Sequence, residues 1–253
     1  MNEFIWVASY PKSGNTWLRF IVSNLVFGEA KGSEDILNIV PDLNEWQGAL
    51  RHFWQGAHFL KTHLMADKLP LRMPSRSAIY VVRNPLDMVV SAMAYLQPTD
   101  QVMRADLLSQ VVTRGGFDHW LSVEYGAWVE NTESWTDGSL TFPVLTLRYE
   151  DMLADPKGHI RKVGDFLGIE VDDQKIEAVA QATSFKSMRK LEKAEIDKGE
   201  AGGMFVHERS FKDESFQFMR AGTSGGYRDH LSPEEIETLT NVFRPGMEKH
   251  GYL

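Results

Sequence analysis

A short basic loop near the start of the chain has residue types suited to binding an anion. An apolar run precedes it, and a segment with helical spacing of apolar residues follows it. Its residues are Lys12, Ser13, Gly14, Asn15 and Thr16. This order predicts a strand, a tight loop and a helix, so that main-chain N–H groups and the positive end of the helix dipole face the loop. With the charge of Lys12 and two hydroxyl groups added, the loop predicts a site for phosphate or a closely related group.

The spacing of this loop differs from that of a nucleoside triphosphate P-loop. In G-x-x-x-x-G-K-[ST] the lysine follows the last glycine, and the next hydroxyl binds Mg²⁺. Here Lys12 precedes Gly14 by two residues. A nucleotide kinase or NTPase stays open as an alternative, although the sequence shows neither the lysine nor the Mg²⁺ ligands that this class requires.

Two further groups of chemically active residues follow apolar runs. His63 comes just after the predicted strand at 58–61, where an imidazole that titrates near neutrality suits general-base catalysis. Arg83 follows the predicted strand at 78–82, and Ser91 lies about two turns along the next predicted helix. An arginine fork and a hydroxyl are suitable donors to a terminal phosphate. For His63 a purely structural role is the alternative.

The elements that position these residues alternate along the chain. Predicted strands are residues 4–9, 58–61, 78–82 and 144–147, and helical patterns fill the intervals, for example at 85–96, 116–135 and 156–168. This alternation predicts an α/β fold, in which a parallel sheet is flanked by helices on both faces. Ligands of such sheets bind beyond the carboxyl ends of the strands, so we expect the motifs to converge on one cleft.

The length of 253 residues predicts one domain, spanning residues 1–253. One stretch, residues 192–216, is polar, charged and interrupted by glycines, and it predicts a long mobile loop that acts as a lid. Plain surface disorder is the alternative for this stretch.

Composition excludes several classes of function. The net charge of -8 argues against nucleic-acid binding, so that any anion site must be a local basic pocket. The chain has no cysteine, which rules out disulfides, thiolate chemistry and cysteine-bound metal. We find no signal peptide and no apolar run near the roughly 20 residues of a membrane span. These observations predict a soluble cytoplasmic enzyme with no membrane partner.

The opening segment S-Y-P-K-S-G-N-T-W resembles the phosphosulfate loop of the PAPS-dependent sulfotransferases, Y-P-K-S/A-G-x-T-W. (PAPS is 3′-phosphoadenosine 5′-phosphosulfate, and PAP is its desulfonated product.) Five further segments match this family in the expected order, so the resemblance covers nearly the whole chain. They are K-T-H-L at 61–64, R-N-P-x-D-x-x-x-S at 83–91, Y-E-D at 149–151, T-S-F-x-x-M at 183–188 and F-x-R-x-G at 218–222. The opening segments look closest to bacterial tailoring sulfotransferases, including those that act on glycopeptide antibiotics.

The resemblance implies a P-loop-like fold and an activity. The enzyme would transfer the sulfonate of PAPS to a hydroxyl of a small-molecule or natural-product acceptor, release PAP and use no metal. His63 would deprotonate the acceptor, while Lys12 and Lys61 would stabilise the charge of the transferred group. The nucleotide would contact Lys12, Ser13, Gly14, Asn15, Thr16, Trp17, Arg83, Ser91, Tyr149, Thr183, Phe185, Met188, Arg220, Ala221 and Gly222.

Within this set, the resemblance implies that Arg83, Ser91, Arg220 and the Gly222 amide bind the 3′-phosphate. Trp17 and Phe185 would stack on adenine, and Tyr149, Thr183 and Met188 would line its pocket. Ordinary core positions are the alternative for Trp17, Phe185 and Tyr149. A non-catalytic nucleotide-binding module would follow only if His63 were dispensable.

The C-terminal segment departs from the family pattern at three positions. Ala221 replaces lysine, Gly226 replaces aspartate and Tyr227 replaces tryptophan, so that one cationic contact to the 3′-phosphate is missing unless Arg228 substitutes for it. The acceptor is not identified by any motif, and a homodimer is one alternative for the oligomeric state. Six aromatic residues are either core or acceptor wall: Trp46, Phe53, Trp54, Tyr95, Trp120 and Tyr125.

Overall fold

The computed structural model describes residues 3–28, 30, 32–45, 50–199, 203–209, 212 and 216–253. Its strands are β1 (Glu3–Ser9), β2 (Ala57–Thr62), β3 (Ser75–Val82) and β4 (Val144–Arg148). They form a parallel sheet in the order β2-β1-β3-β4. All four predicted strands are therefore present, and the predicted α/β fold with a parallel sheet is confirmed.

Helices occupy most of the remaining described chain. They are α1 (Asn15–Phe27), α2 (Ser33–Ile39), α3 (Pro85–Leu96), α4 (Gln101–Arg114), α5 (Asp118–Ser122), α6 (Trp128–Thr136), α7 (Tyr149–Ala154), α8 (Pro156–Leu167), α9 (Asp173–Ala182), α10 (Phe185–Lys198), α11 (Met204–Arg209) and α12 (Pro233–Lys249). Two short 3₁₀ helices span Ala66–Lys68 and Gly226–Asp229. None of the helices in the described ranges is both long and apolar enough to cross a membrane.

Both faces of the sheet are covered by helices, which explains why β1 is apolar and buried from Phe4 to Ala8. In β1, Trp6 and Ala8 pack into a core shared with α3, α6 and α12. The alternate residues Ile5 and Val7 pack into a second core, shared with α1, α8 and α9. Because both sides of β1 are buried, its carboxyl end is held firmly at the point where the basic loop begins.

The interval at 116–135, predicted as one helix, contains two helices with a break between them. Glu124 has φ of 63° and Gly126 has φ of 71°, and this left-handed backbone cannot continue an α-helix. The single-helix prediction is therefore wrong at residues 123–127. The break has a consequence for the site, because it directs Tyr125 against the ring of His63.

The stretch at 192–216, predicted as a loop, is helical in part. Residues 192–198 belong to α10, and residues 204–209 form α11, so the loop prediction is wrong for both. Residues 200–202, 210, 211 and 213–215 lie outside the described residues. The reason for the error lies in Glu192 and Glu195, which are buried rather than exposed. Whether this stretch moves as a lid stays a prediction.

Buried carboxylates on α10 hold neighbouring segments in place. Glu192 accepts hydrogen bonds from the main-chain N–H groups of Phe218, at 2.7 Å, and Met219, at 3.1 Å. Glu195 accepts from the main-chain N–H of Ser33 at 2.7 Å and from the Ser33 hydroxyl at 2.5 Å. Buried charges of this kind persist when several donors satisfy them. The charged residues of this stretch therefore include two buried glutamates that bind neighbouring segments.

Candidate active site

A cleft of about 1050 Å³ is lined by residues that follow each of the four strands. Most of the predicted site residues line it together: Lys12, Gly14, Asn15, Thr16, Trp17, Lys61, His63, Arg83, Ser91, Tyr149, Phe185, Arg220, Ala221 and Gly222. The predicted convergence of the motifs is therefore observed. Ser13, Thr183 and Met188 are not among the lining residues.

The basic loop between β1 and α1 is shaped by two left-handed residues. Lys12 has φ of 63° and Gly14 has φ of 103°. Gly14 is the N-cap of α1, and a Cβ atom there would lie 2.6 Å from Cδ2 of Tyr149. Only glycine satisfies both the backbone and the ring. The loop therefore presents its main-chain N–H groups at the start of α1, as an anion site requires.

The ammonium group of Lys12 rests on aromatic rings inside the cleft. Its Nζ atom lies 4.1 Å from the ring centroid of Tyr95 and 4.9 Å from that of Phe218. Burial lowers the pKa of Lys12 to about 8, an effect that the negative charge of Glu208 partly opposes. Lys12 is still mostly protonated at pH 7, and the rings stabilise its charge while leaving it accessible to an anion.

The side chains of Ser13 and Asn15 contact the loop itself and strand β1. The buried Ser13 hydroxyl lies 3.5 Å from the carbonyl oxygen of Pro11. Asn15 donates from Nδ2 to the carbonyl oxygen of Val7 at 3.0 Å and to the Ser9 hydroxyl at 3.3 Å. Both protons of the Asn15 amide are thus engaged with β1.

His63 lies immediately after β2, with one ring nitrogen fixed by the end of β1. Its Nδ1 atom is 2.6 Å from the carbonyl oxygen of Ser9. A carbonyl only accepts hydrogen bonds, so Nδ1 carries the proton and Nε2 keeps its lone pair. Burial, and after it the charge of Lys61, lowers the pKa of His63 to about 3, so the ring is neutral at pH 7. A neutral imidazole with a free Nε2 is the form a general base needs.

Lys61 forms an ion pair with Asp42, a contact that the sequence did not predict. The segment carrying Asp42 runs alongside the end of β2: Leu43 donates to the Lys61 carbonyl at 2.9 Å, and Lys61 donates to the Pro41 carbonyl at 2.8 Å. Lys61 lines the cleft as predicted. Its charge is balanced by Asp42, and its role beside the transferred group stays a prediction.

Arg83 joins the basic loop to the C-terminal segment. It donates to the carbonyl oxygen of Lys12 at 3.0 Å and to that of Thr223 at 3.2 Å, and its guanidinium lies 4.5 Å from the ring centroid of Tyr149. The next helix begins as the sequence indicates, with Pro85 in its first turn and Asn84 as a side-chain cap. These contacts hold Arg83 at the carboxyl end of β3.

Asp87, the acidic residue of the R-N-P-x-D pattern, holds the C-terminal loop. This buried carboxylate accepts from the main-chain N–H groups of Gly225, at 2.7 Å, and Tyr227, at 3.0 Å. It thereby fixes the loop that carries Arg220 and Gly222 against α3. Sequence analysis gave Asp87 no role, although the motif contained it.

The C-terminal loop shows why Gly222 is a glycine and where Arg228 lies. A Cβ atom at Gly222 would lie 2.2 Å from Cδ2 of Phe185, so this position requires glycine for the close approach. Arg228 lies 4.5 Å from the ring centroid of Tyr227 and does not line the cleft. Its position therefore gives no support to Arg228 as the substitute for the missing lysine.

At the other end of the cleft, aromatic rings line one wall. Trp17 and Tyr149 pack edge to face with ring centroids 5.8 Å apart, and Phe185 is 37% exposed. Flat apolar faces of this kind suit a purine. Thr183 is buried and donates to the Val179 carbonyl at 2.8 Å, while Met188 packs into a core with Phe20. These two residues support the wall from behind, contrary to the prediction that they line it.

The remaining part of the cleft is built from residues that carry no motif. Of the six undecided aromatic residues, Tyr95, Trp120 and Tyr125 line it, Phe53 and Trp54 do not, and Trp46 lies outside the described residues. The Tyr125 ring packs edge to face on His63, with centroids 5.5 Å apart. Further lining residues that sequence analysis missed are Arg19, Asp42, Asn44, Glu45, His119, His207 and Glu208.

In the part of the chain that is described, no group of three or more His, Asp or Glu side chains is arranged to bind a metal ion. The cationic side chains that line this cleft are Lys12, Arg19, Lys61, Arg83 and Arg220, and Lys61 is paired with Asp42.

Comparisons with known proteins agree with this geometry. The family model described as the sulfotransferase domain matches residues 2–251. Sulfotransferase 2A6 of Mus musculus is 27% identical over 257 residues, covering 97% of this chain and 85% of that protein. Sulfotransferase 1C2 of Homo sapiens is 28% identical over 259 residues, covering 96% of this chain and 82% of that protein.

Among solved structures, mouse sulfotransferase SULT7A1 complexed with PAP has a TM-score of 0.67 at 23% identity, covering 97% of this chain and 84% of that chain. Retinol dehydratase, in complex with androsterone and the inactive cofactor PAP, has a TM-score of 0.66 at 18% identity, covering 96% of this chain and 80% of that chain. These likenesses confirm the fold. Because the family model matches almost the whole length, the chain belongs to the PAPS-dependent sulfotransferase family, whose enzymes transfer a sulfonate group from PAPS to a hydroxyl acceptor.

Proposed function

We propose that this sulfotransferase binds PAPS across the cleft, with its 5′-phosphosulfate at the basic loop and its 3′-phosphate at Arg83, Ser91 and Arg220. The observation that carries this proposal is the placement of His63. Its Nδ1 proton is committed to the Ser9 carbonyl, while its ring lines the same cleft as Lys12. A neutral base and a cation in one cleft are what direct transfer of an anionic group to a hydroxyl requires.

In the proposed reaction, Nε2 of His63 accepts the proton of the acceptor hydroxyl as the acceptor oxygen bonds to sulfur. The bond between sulfur and the bridging phosphate oxygen breaks in the same step, and the electron pair leaves with PAP. Lys12 stabilises the charge that develops on the departing phosphate. A bound anionic donor raises the pKa of His63, because negative charge favours the imidazolium.

The acceptor in this proposal is a small molecule with an apolar or aromatic body. Tyr95, Trp120 and Tyr125 line the cleft, Tyr125 packs against the base, and aromatic surfaces of this kind favour flat apolar groups. A screen of phenols, aliphatic alcohols, sugars and glycopeptides with labelled PAPS identifies the class. It also tests the resemblance to bacterial tailoring enzymes, which stays a prediction.

The binding test compares PAP with ATP. Two phosphate sites supplied by side-chain cations predict that PAP binds more tightly than ATP, and that Mg²⁺ does not change its affinity. Isothermal calorimetry with and without Mg²⁺ measures both. Equal affinity for ATP, or a strict Mg²⁺ requirement, would contradict the proposed site and would favour the kinase or NTPase alternative, to which the comparisons give no support.

Several predictions from the sequence extend this proposal. They are a single domain over residues 1–253, a lid at 192–216 that becomes ordered when PAP binds, a homodimer as one alternative, and a cytoplasmic location. The position of α10 and α11 beside the cleft supports the lid, since Met204 and Glu208 of α11 line it. Hydrogen exchange in the presence and absence of PAP measures the ordering.

A further inference from the structure

Asn131, on α6, is completely buried directly behind the proposed base. Its Nδ2 atom donates to the main-chain carbonyl of His63 at 2.9 Å and to that of Tyr125 at 2.7 Å. Its Oδ1 atom accepts from the hydroxyl of Tyr80 at 2.8 Å. One side chain therefore links the base, the aromatic residue beside it and the central strand β3.

The chemistry of these three partners requires an amide. Two carbonyl oxygens need two N–H donors, and a hydroxyl donor needs an acceptor, so asparagine satisfies all three. Aspartate has the same shape but no N–H to donate, and it would face two carbonyl oxygens. Serine has only one donor and is shorter. Losing the donors leaves buried carbonyl groups unsatisfied, which is costly.

The two main-chain carbonyls that Asn131 binds belong to the proposed base, His63, and to Tyr125, whose ring packs against it. The His63 ring is held at its other end by the Ser9 carbonyl, and the Tyr125 ring packs against it. The Tyr125 hydroxyl accepts a hydrogen bond from Asn44 at 2.8 Å. Because residues 123–127 form the break between α5 and α6, Tyr125 belongs to no helix or strand, and Asn131 helps to fix its main chain beside His63.

We propose that Asn131 is a positioning residue for sulfonate transfer, and this inference rests on the function proposed above. By binding the main chain of His63 and Tyr125 together, Asn131 sets the direction of the His63 Nε2 lone pair relative to the acceptor wall. A misplacement of about 1 Å at a reacting group can cost roughly 100-fold in rate. Asn131 acts through His63, so its contribution disappears when His63 is absent.

The test is a double-mutant cycle between Asn131→Asp and His63→Ala. Turnover is measured with PAPS and the most reactive aliphatic alcohol of the acceptor screen, and PAP affinity is measured by calorimetry. We expect Asn131→Asp to lower kcat by about 10- to 100-fold. In the His63→Ala background the same change should alter kcat by less than about twofold, and PAP affinity should stay within about threefold of the wild-type value.

Two additional variants separate positioning from general stability. Asn131→Ser replaces the amide by a smaller neutral group. It takes the place of Asn131→Asp in the cycle if the aspartate variant does not fold. Thr132→Val is the matched control, because Thr132 is equally buried on the same helix and its hydroxyl donates locally, to the Val129 carbonyl at 2.9 Å. We expect Asn131→Ser to lower kcat and Thr132→Val to leave kcat unchanged.

Two outcomes would overturn the inference without affecting the proposed function. One is a folded Asn131 variant with wild-type kcat, and the other is an equal loss of kcat in the presence and absence of His63. Full turnover by His63→Ala alone would instead refute the proposed base, and the inference would fail with it.

Discussion

The two halves of the cleft are built in different ways. The half that we propose binds the nucleotide, the nucleotide half, is formed by short contiguous segments at the ends of the strands, and main-chain geometry at Lys12 and Gly14 shapes it. The half that we propose binds the acceptor, the acceptor half, is formed by single residues from α3, from α5, from the break before α6 and from α11. The contrast indicates that a site shaped by the main chain of one short segment has a recognisable sequence motif. A wall built from side chains of separate segments has none.

The largest effect is expected for Lys12, at the junction of the halves, because our proposal places its charge against the phosphosulfate in both the ground state and the transition state. Lys12→Ala should lower kcat/KM for PAPS by about 10³- to 10⁴-fold, with losses in both turnover and affinity. Steady-state kinetics and PAP calorimetry separate the two. Lys68→Ala is a control, since Lys68 is exposed and pairs with Asp67. Unchanged PAP affinity in Lys12→Ala would place the phosphosulfate elsewhere.

A smaller effect is expected from pH. Because burial lowers the pKa of Lys12 to about 8, raising the pH above 8 removes a positive charge from the nucleotide half. PAP affinity should therefore fall above about pH 8, by up to about tenfold per pH unit. Calorimetry at several pH values measures this. Lys12→Arg should abolish the fall, and a decrease that persists in that variant would assign it to another group.

The smallest effect is expected in the acceptor half alone. Tyr125→Leu removes an aromatic wall, so KM for an aromatic acceptor should rise by about 2- to 10-fold while PAP affinity stays unchanged. Phe53→Leu is the matched control, because Phe53 is an aromatic residue that does not line the cleft. A change in PAP affinity in Tyr125→Leu would show that the two halves are not independent.

Much of the nucleotide half was predictable because its residues are neighbours in sequence. The order of strand, loop and helix located the basic loop, and the strand ends located His63 and Arg83. The direction of individual side chains was less predictable. Ser13, Thr183 and Met188 occupy motif positions but point into the protein, since helix phase and packing decide which side chains reach the ligand.

The errors in the fold have specific physical causes. The break at residues 123–127 depends on a positive φ at Glu124, a conformation that nothing in its residue type indicates. The helical residues 192–198 were missed because Glu192 and Glu195 are charged, yet their partners are main-chain N–H groups far away in sequence. Asn131 was missed because its three partners come from separate segments of the chain, and no local pattern indicates them.

The most direct test of the central claim is turnover of His63→Ala with an aliphatic alcohol, measured together with its affinity for PAP. We predict that kcat falls by about 10²- to 10⁴-fold, the usual loss for a positioned base, while PAP affinity stays within about twofold. His52→Ala, which changes a histidine outside the cleft, should behave as wild type. An aliphatic acceptor is essential, because an acidic phenol is already ionised and would mask the loss. Full turnover of His63→Ala with this acceptor would contradict the assignment of His63 as the base.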